Sequence, residues 1–437
     1  MSEPSIFISI AAYREFELVK TVRDAIARAT HPDRLQFCIC WQRAPEESLD
    51  GLEHDPRVQV IDVPHMESHG VCWARNLIQR QYRGQTYFMQ IDGHHRFTQD
   101  WDVRTIEMLE GLKRRPGVIK PVLTGYLPSY EPNRDPAGRN NGIWLYGFDR
   151  FEPSGVVFMR PYTPAVTPTE PVVSRFWSAH FSFSDGCFTE EVRADPDGYF
   201  HAEEIGTGVR AWTSGYDFFT PHETLAWHEY SRKGRVCHWD DHSNWGTRNA
   251  RAIARYRALL GVDGTSMRDF APYGFGTERS FEQFERFAGI CFEDRSVDRA
   301  VIDHVPAPSP LAHAPRSVWR GLLLRSHSRD IRLDRSLLED PDPTLFLALF
   351  ATAADGTELY RMDLSRAGID ERLATQTGNH IFILMAFFSR QLPVKWTSWL
   401  GSAQRGWLDR VDGDWPPPDG PTLIRNEDAI NQLASAL

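Results

Sequence analysis

The chain has 437 residues, 41% hydrophobic and 25% charged, a balance that excludes a disordered or fibrous chain and leaves room for two or three folded domains. Its 49 Lys and Arg against 59 Asp and Glu give a net charge of −10, which argues against nucleic acid or an anionic membrane as a general partner. The longest apolar runs, Leu345–Ala354 and Ile381–Phe388, fall short of the roughly 20 residues a membrane helix needs, so no membrane span is expected.

Fourteen Trp, 13 Tyr and 26 Phe make up 12% of the chain. They serve either a Trp-rich core or flat surfaces for sugars and bases. The six cysteines (38, 40, 72, 187, 237 and 291) show no CxxC spacing, and Met1-Ser2-Glu3-Pro4 opens no basic or apolar leader. Reduced thiols in a cytoplasmic chain are expected.

In chain order, Ile6–Ile10 reads as a buried strand and Phe16–Ala29 as an amphipathic helix with Leu18, Val22, Ala25 and Ile26 on one face, stopped at His31-Pro32. Leu35–Trp41 and Val58–Val63 are strands, Val71–Tyr82 a helix and Thr86–Ile91 a strand. Strands alternating with helices imply a mainly parallel α/β sheet, whose ligands sit beyond the carboxyl ends of the strands. Gly, Pro, Asn and Arg cluster in Tyr130–Gly142, a long excursion of the kind that forms acceptor-binding loops or lids. Further strands are expected at Gly155–Met159 and Phe181–Ser184, and helices at Glu203–Thr213 and Trp245–Leu260. The Pro- and Ala-rich Asp303–Arg316 reads as a linker. Beyond it, Gly321–Arg325, Leu345–Ala351, Leu359–Leu364, Ile381–Phe388 and Val394–Trp399 read as strands of a small β-rich domain, a sandwich. No internal repeat is present.

The sharpest chemical feature is Asp92-Gly93-His94 at the end of an apolar strand. Carboxylate oxygen with imidazole nitrogen suits a divalent cation such as Mn²⁺, and the glycine would let a diphosphate approach the backbone. Equally, Asp92 could cap a turn and His94 could lie at the surface. A third ligand must come from far along the chain. His228, after Leu225-Ala226-Trp227, competes with His222, His238 and His242. Glu203-Glu204 opens a helix, where the macrodipole alone is reason enough for acids; functionally they would meet sugar hydroxyls or the acceptor, pointing in diverging directions. Asp185 and Asp195 read as turn residues. Arg14, just past the first strand, and Arg75-Asn76, inside a helix, place arginines where they would pair with phosphate or form ordinary surface salt bridges. The motifs GxxxxGK[ST], GxGxxG, GxSxG and HExxH are all missing, which removes the best signals for P-loop, hydride-transfer and serine or zinc hydrolase chemistry.

Taken together, Ile8–Arg14, Ala74-Arg75-Asn76, Gln90–Phe97, Trp101-Asp102, Phe181–Asp185, Asp195-Pro196, Glu203-Glu204-Ile205, Ala211–Phe219 and His228-Glu229-Tyr230 resemble the UDP-N-acetylglucosamine polypeptide N-acetylglucosaminyltransferase family. Known members of that family attach GlcNAc to hydroxyproline, and the family is itself similar to the polypeptide GalNAc-transferases. The resemblance spans about residues 5–262.

It implies an α/β GT-A-type nucleotide-sugar glycosyltransferase core with a mainly parallel sheet over 1–302; the linker at 303–316 and the C-terminal β-rich domain, 317–437, are expected from the residue pattern alone and lie outside the resemblance. It also implies Asp92, His94 and His228 as ligands of Mn²⁺ or Mg²⁺, and Glu203 and Glu204 as the acidic pair beside donor sugar and acceptor. Ala11, Tyr13, Arg14, Arg75, Asn76, Gln90, Asp92 and Trp212 would hold a UDP-GlcNAc donor. The reaction would be retaining, with Arg75 or Arg210 neutralising phosphates. The acceptor would be a hydroxyl of a protein, peptide or glycan. One departure stands out: the family usually has Ser where this chain has Gly93. Two other functions share these features, sugar transfer to a small molecule or polysaccharide and a silent sugar-binding module.

Overall fold

A computed structural model describes residues 4–231 and 234–415. The first part of the chain runs β1 (Ile6–Tyr13), α1 (Leu18–Arg28), β2 (Leu35–Arg43), β3 (Val58–Pro64), α2 (Val71–Gln79), β4 (Tyr87–Ile91), β5 (His95–Phe97), α3 (Trp101–Lys113) and β6 (Lys120–Thr124). After a long excursion come β7 (Leu145–Phe151), β8 (Val157–Tyr162), β9 (Val172–Val173), β10 (Phe181–Asp185), α4 (Phe188–Glu191), α5 (Glu203–Thr213), β11 (Tyr216–Thr220) and β12 (Ala226–His228). Next are α6 (His238–Asp241), α7 (Trp245–Leu260), α8 (Phe281–Ala288), β13 (Ile290–Cys291), β14 (Ser296–Val297), α9 (Arg299–Ile302) and α10 (Arg316–Leu322). The last described part holds β15 (Leu324–Asp334), β16 (Leu345–Ala353), β17 (Glu358–Leu364), α11 (Arg366–Thr375), β18 (His380–Ser389), β19 (Pro393–Ser402) and β20 (Gly406–Asp414).

The central sheet has eight strands in the order β3-β2-β1-β4-β10-β6-β11-β9. Strands β1 to β4 are mutually parallel, as are β6 and β11; β10 and β9 run antiparallel. The expected mainly parallel α/β core is therefore present. Strand β10 breaks the parallel order because the chain returns to the sheet through an excursion and not through a crossover helix. Alternation along β1 explains the two covering layers. Ile6, Ile8 and Ile10 face a core shared with Leu18 and Val22 of α1 and Leu109 of α3, whereas Phe7 faces one shared with Ala74 and Ile78 of α2.

Helices α5 and α7 coincide with their expected spans. The Val71–Tyr82 helix ends at Gln79, and the strand expected from Gly155 starts at Val157, because Gly155 closes a turn with φ +87° and its N–H bonds Glu152 O at 2.8 Å. Gly321 and Leu322 finish helix α10, anchored by the buried Trp319, so the strand expected at Gly321–Arg325 begins only at Leu324. Helix α11 and strand β20 were not anticipated. Only Ile369 of α11 is buried, leaving no apolar stripe to read.

In the C-terminal part, the sheets β13-β14-β15-β18 and β17-β16-β19-β20 enclose one apolar core, with Ile331, Ile381 and Ile383 from the first meeting Leu347, Leu349 and Leu400 from the second. This part is β-rich as expected. Residues 416–437 of the expected accessory region lie outside the described residues. The first sheet draws strands from both sides of the Pro- and Ala-rich stretch: Ser296 and Val297 of β14 pair with Arg325 and Leu324 of β15. Ser326 Oγ accepts from Phe151 N at 3.1 Å, and Ser328 Oγ donates to Phe151 O at 2.5 Å.

Candidate active site

Strand β4 is buried throughout and delivers Asp92 at its carboxyl end, where the loops of a parallel sheet converge. The turn that follows is clamped from α1: Thr21 Oγ1 donates to Gly93 O at 2.8 Å and accepts from His95 N at 2.9 Å. Gly93 is dictated by its neighbour Glu15. A Cβ built there would lie 2.7 Å from Glu15 Cγ. The buried Glu15 carboxylate sits 2.8 Å from His94 Nδ1, so it holds that nitrogen as the donor and leaves Nε2 as the ligand-competent one.

The third histidine arrives through a contact too short to read from sequence. Strands β5 and β12, three residues each, pair antiparallel with His228 opposite His95. The ring centroids of His94 and His228 lie 4.6 Å apart. One ligand atom each from Asp92, His94 and His228 falls within 4.8 Å of the others, the one such group of three among the described residues. His228 Nε2 stands 3.4 Å from Asp92 Oδ2, and neither ring nitrogen of His228 makes a hydrogen bond although the residue is buried. Burial holds the His228 imidazole well below the ordinary histidine range, against the pull of Asp92. Burial would raise the Asp92 carboxyl, but His228 and the Arg75 guanidinium hold it well below the usual carboxylate range. One carboxylate and two imidazoles, with bare nitrogens on His228, suit a divalent cation.

Of the competing histidines, His238 lines the same cleft but its Nδ1 is 2.8 Å from Tyr199 Oη and its Nε2 faces Ser68 O. His242 turns to His65 O, and His222 stands beside Glu223.

The cleft is a cavity of about 340 Å³ that gathers Ala11, Tyr13, Arg75, Asp92, His94, Glu203, Glu204 and His228. Arg75 ties it together. Its Nη1 donates to both Glu203 oxygens at 2.6 Å, while Nη2 donates to Asp92 Oδ1 at 2.9 Å and Ala179 O at 3.2 Å. Glu204 diverges from Glu203, as expected, accepting from Tyr146 Oη, from Ala179 N at 2.8 Å and from Ser178 Oγ at 3.2 Å. Burial pushes the Glu204 carboxyl up despite those donors.

The remaining polar groups expected to bind are held by protein partners. Arg14 pairs with Asp241 at 3.1 Å, and Tyr13 Oη donates to the same carboxylate at 2.7 Å. Asn76 donates to Ala194 O at 2.7 Å, and Gln90 donates to Ala179 O at 2.7 Å beneath the cleft. Trp212 stacks on Phe287 and meets Phe284 of α8 edge-on, with Arg279 over its ring, and does not line the cavity. Arg210 donates to the carbonyls of Gly274 and Arg193, so it is not free to meet a phosphate. Asp185 pairs with Lys113 and Asp195 with Arg255.

Glu15, Arg235, His180 and the Tyr126–Tyr230 pair also line the cleft, and of these only Tyr230 falls within the resembling motifs. Arg235 Nη1 reaches His94 Nε2 at 2.9 Å, and its Nη2 pairs with Glu229. Tyr126 and Tyr230 stack at 4.9 Å with ring planes 3° apart, and the His180 centroid is 4.5 Å from that of His228. The position of Glu15, directly after the loop of β1, was the one available signal. The others are assembled by tertiary contacts.

The family model of the glycosyltransferase (GlcNAc) family matches residues 5–53 and 49–294. No curated protein matches the chain. Among solved structures, GalNAc-T7 with UDP, GalNAc and Mn²⁺ is similar at 15% identity over 64% of this chain and 56% of that chain, with a TM-score of 0.46. Residues 1–349 of S. aureus TarS in complex with UDP-GlcNAc are similar at 9% identity over 64% and 70%, with a TM-score of 0.38. The mannosyltransferase PcManGT from Pyrobaculum calidifontis, with GDP-Man and Mn²⁺, is similar at 13% identity over 58% and 64%, with a TM-score of 0.36. The match thus spans little more than half of the GalNAc-T7 chain, and what assigns the family is the family model across residues 5–294. The chain belongs to the GlcNAc glycosyltransferase family.

Proposed function

We propose that this protein is a metal-dependent, retaining GT-A-type glycosyltransferase that moves N-acetylglucosamine from UDP-GlcNAc to a hydroxyl of a protein or peptide. The observation that carries this is the convergence of Asp92, His94 and His228 in one cleft that also holds Glu203 and Glu204.

Asp92, His94 and His228 would hold Mn²⁺ or Mg²⁺. When bound, such a cation acts as a Lewis acid that stabilises the departing diphosphate. Glu15 fixes the His94 tautomer, and Arg75 presents Asp92 with its second oxygen toward the histidines. Ala11 and Tyr13, at the tip of β1, line the wall where a nucleotide base and ribose would lie. Arg235, which lies against His94 and is paired with Glu229, would neutralise phosphate charge in place of Arg75 or Arg210 by exchanging that pairing for the diphosphate.

The acceptor oxygen forms its bond to the sugar C1 on the face from which the UDP oxygen leaves, and the freed phosphate oxygen takes the acceptor's proton. No separate base is then required. Glu204, carrying three donors, positions the donor sugar's hydroxyls, while Glu203 is committed to Arg75. Residues 317–415 act as a cap on the transferase core, a role supported by the sheet and hydrogen bonds they share with it.

Stripping metal with EDTA and restoring Mn²⁺ should abolish and then return UDP-GlcNAc turnover, and proton NMR of the product should show an α linkage. A β-linked product overturns the retaining reading. No turnover of any UDP-sugar with any metal overturns the whole.

A further inference from the structure

A second groove lies beside the cleft and takes no part in the chemistry above. It holds about 720 Å³ and is lined by Arg248, Arg251 and Arg255 of α7 together with Arg268. Arg255 is engaged, pairing with Asp195 at 2.6 Å and lying over the Phe270 ring. Arg248, Arg251 and Arg268 form no ion pair among the described residues, although the chain as a whole is acidic. Asp197 is the one carboxylate in the lining. With Arg255 set against Asp195 and Asp197, three guanidiniums without an ion pair remain and make a local positive field on a protein of net charge −10.

The helical spacing of Arg248, Arg251 and Arg255 sets three guanidinium stems on one face over about 10 Å of helix. Between them the floor is apolar, made by Ala254, Ala258 and Pro196. Tyr199 lines both this groove and the cleft, so the two share a wall.

We propose that this groove binds acidic side chains of a peptide acceptor, close in sequence to the hydroxyl that the cleft receives. The inference rests on the transferase reading above. An arginine fork matches a carboxylate in two parallel hydrogen bonds. An extended peptide presents every second side chain on one face, so carboxylates and small apolar residues can alternate along the groove. A uniformly charged polymer would meet the arginines but would press charge against the apolar floor.

The test uses the full chain with Mn²⁺ and UDP-GlcNAc and two sets of Ser, Thr and hydroxyproline peptides, identical except for Glu or Gln around the hydroxyl. The acidic set should have a KM about tenfold lower, and the advantage should vanish in R251E/R268E and shrink at high salt. UDP-GlcNAc hydrolysis without acceptor should be equal in both proteins. A fluorescein-labelled Glu-Ala repeat peptide should bind the native chain by anisotropy and fail to bind the double variant. Equal KM for both peptide sets, no transfer to either set while hydrolysis proceeds, or unchanged binding in R251E/R268E would overturn the proposal. A phosphodiester polymer that displaces the labelled peptide and accepts sugar in its place would overturn the peptide occupant. Absent hydrolysis in the native chain is a failure of the transferase reading, and the anisotropy measurement still decides the groove.

Discussion

Arg75 and Glu203, 128 residues apart in sequence, meet inside the cleft where one guanidinium nitrogen donates to both carboxylate oxygens at 2.6 Å. Both side chains are almost wholly buried, at 4% and 6% exposure, and the other arm of Arg75 reaches Asp92. Removing one partner of such a pair strands a buried charge. Arg75→Ala should therefore lower unfolding free energy by about 3–5 kcal/mol in urea titrations. Arg75→Lys should keep more of that stability but lose activity, because an ammonium cannot span Glu203 and Asp92 together.

Removing a metal ligand should cost more in metal binding than in the fold. His228→Ala breaks no hydrogen bond but leaves a void among His94, His95, His180 and Tyr230, so the metal-free protein should lose about 2 kcal/mol of stability, while Mn²⁺ affinity by calorimetry falls by at least about 100-fold. Glu15→Gln keeps the shape but offers His94 Nδ1 a weaker partner, and a fall of about 10-fold is expected. Unchanged Mn²⁺ binding in His228→Ala would remove that residue from the site.

Gly93 carries a steric prediction. Gly93→Ser, the residue usual in the resembling family, would drive a Cβ to 2.7 Å from Glu15 Cγ. The expected cost is about 1–3 kcal/mol of stability together with weaker metal binding, since Glu15 is what orients His94. Pairing Gly93→Ser with Glu15→Ala should recover stability but not metal affinity, and a double-mutant cycle measures both.

Acid should destabilise the β-rich part through His327. Burial pushes this imidazole down to about 4, whereas unfolded it returns to near 6.5. Because the unfolded chain binds the extra proton, stability from this group is complete above about pH 6.5 and is lost as pH falls toward 4. By pH 5 the loss is about 2 kcal/mol, and His327→Gln should flatten that slope in denaturation curves taken between pH 7 and pH 5.

Glu204 offers a kinetic counterpart. Its carboxyl is already raised by burial, and Tyr146 is one of the donors holding it back. Tyr146→Phe removes that donor, so the acid limb of the kcat profile should move to higher pH, with metal affinity unchanged.

Much of the fold and part of the site are legible in the sequence. Ile6–Ile10 and the helices at Glu203–Thr213 and Trp245–Leu260 carry strong apolar periodicity, and a strand tip that ends in Asp92-Gly93-His94 announces its chemistry. The choice of His228 needed the family resemblance, because a three-residue pairing between β5 and β12 leaves no pattern in sequence. Trp212 was misplaced for a related reason: α5 is buried on nearly every side, so its own periodicity could not reveal that the indole packs on Phe284 and Phe287. Arg75 was expected to meet phosphate because its carboxylate partners are distant in sequence. Glu15 was overlooked because a lone acid after a strand has no periodicity to mark it.

The pairing of β14 with β15 also fixes where this protein can be cut. A chain ended within the Pro- and Ala-rich stretch keeps β14 but loses its partner, removes Ser326 and Ser328 from Phe151, and takes Phe388 away from Phe148. Such a fragment would expose an unpaired edge and aromatic surface, an aggregation hazard. For chimeras and domain exchange, the transplantable unit therefore keeps β13, β14, β15 and β18 together with Phe148 and Phe151 of β7, and no joint falls at the prolines.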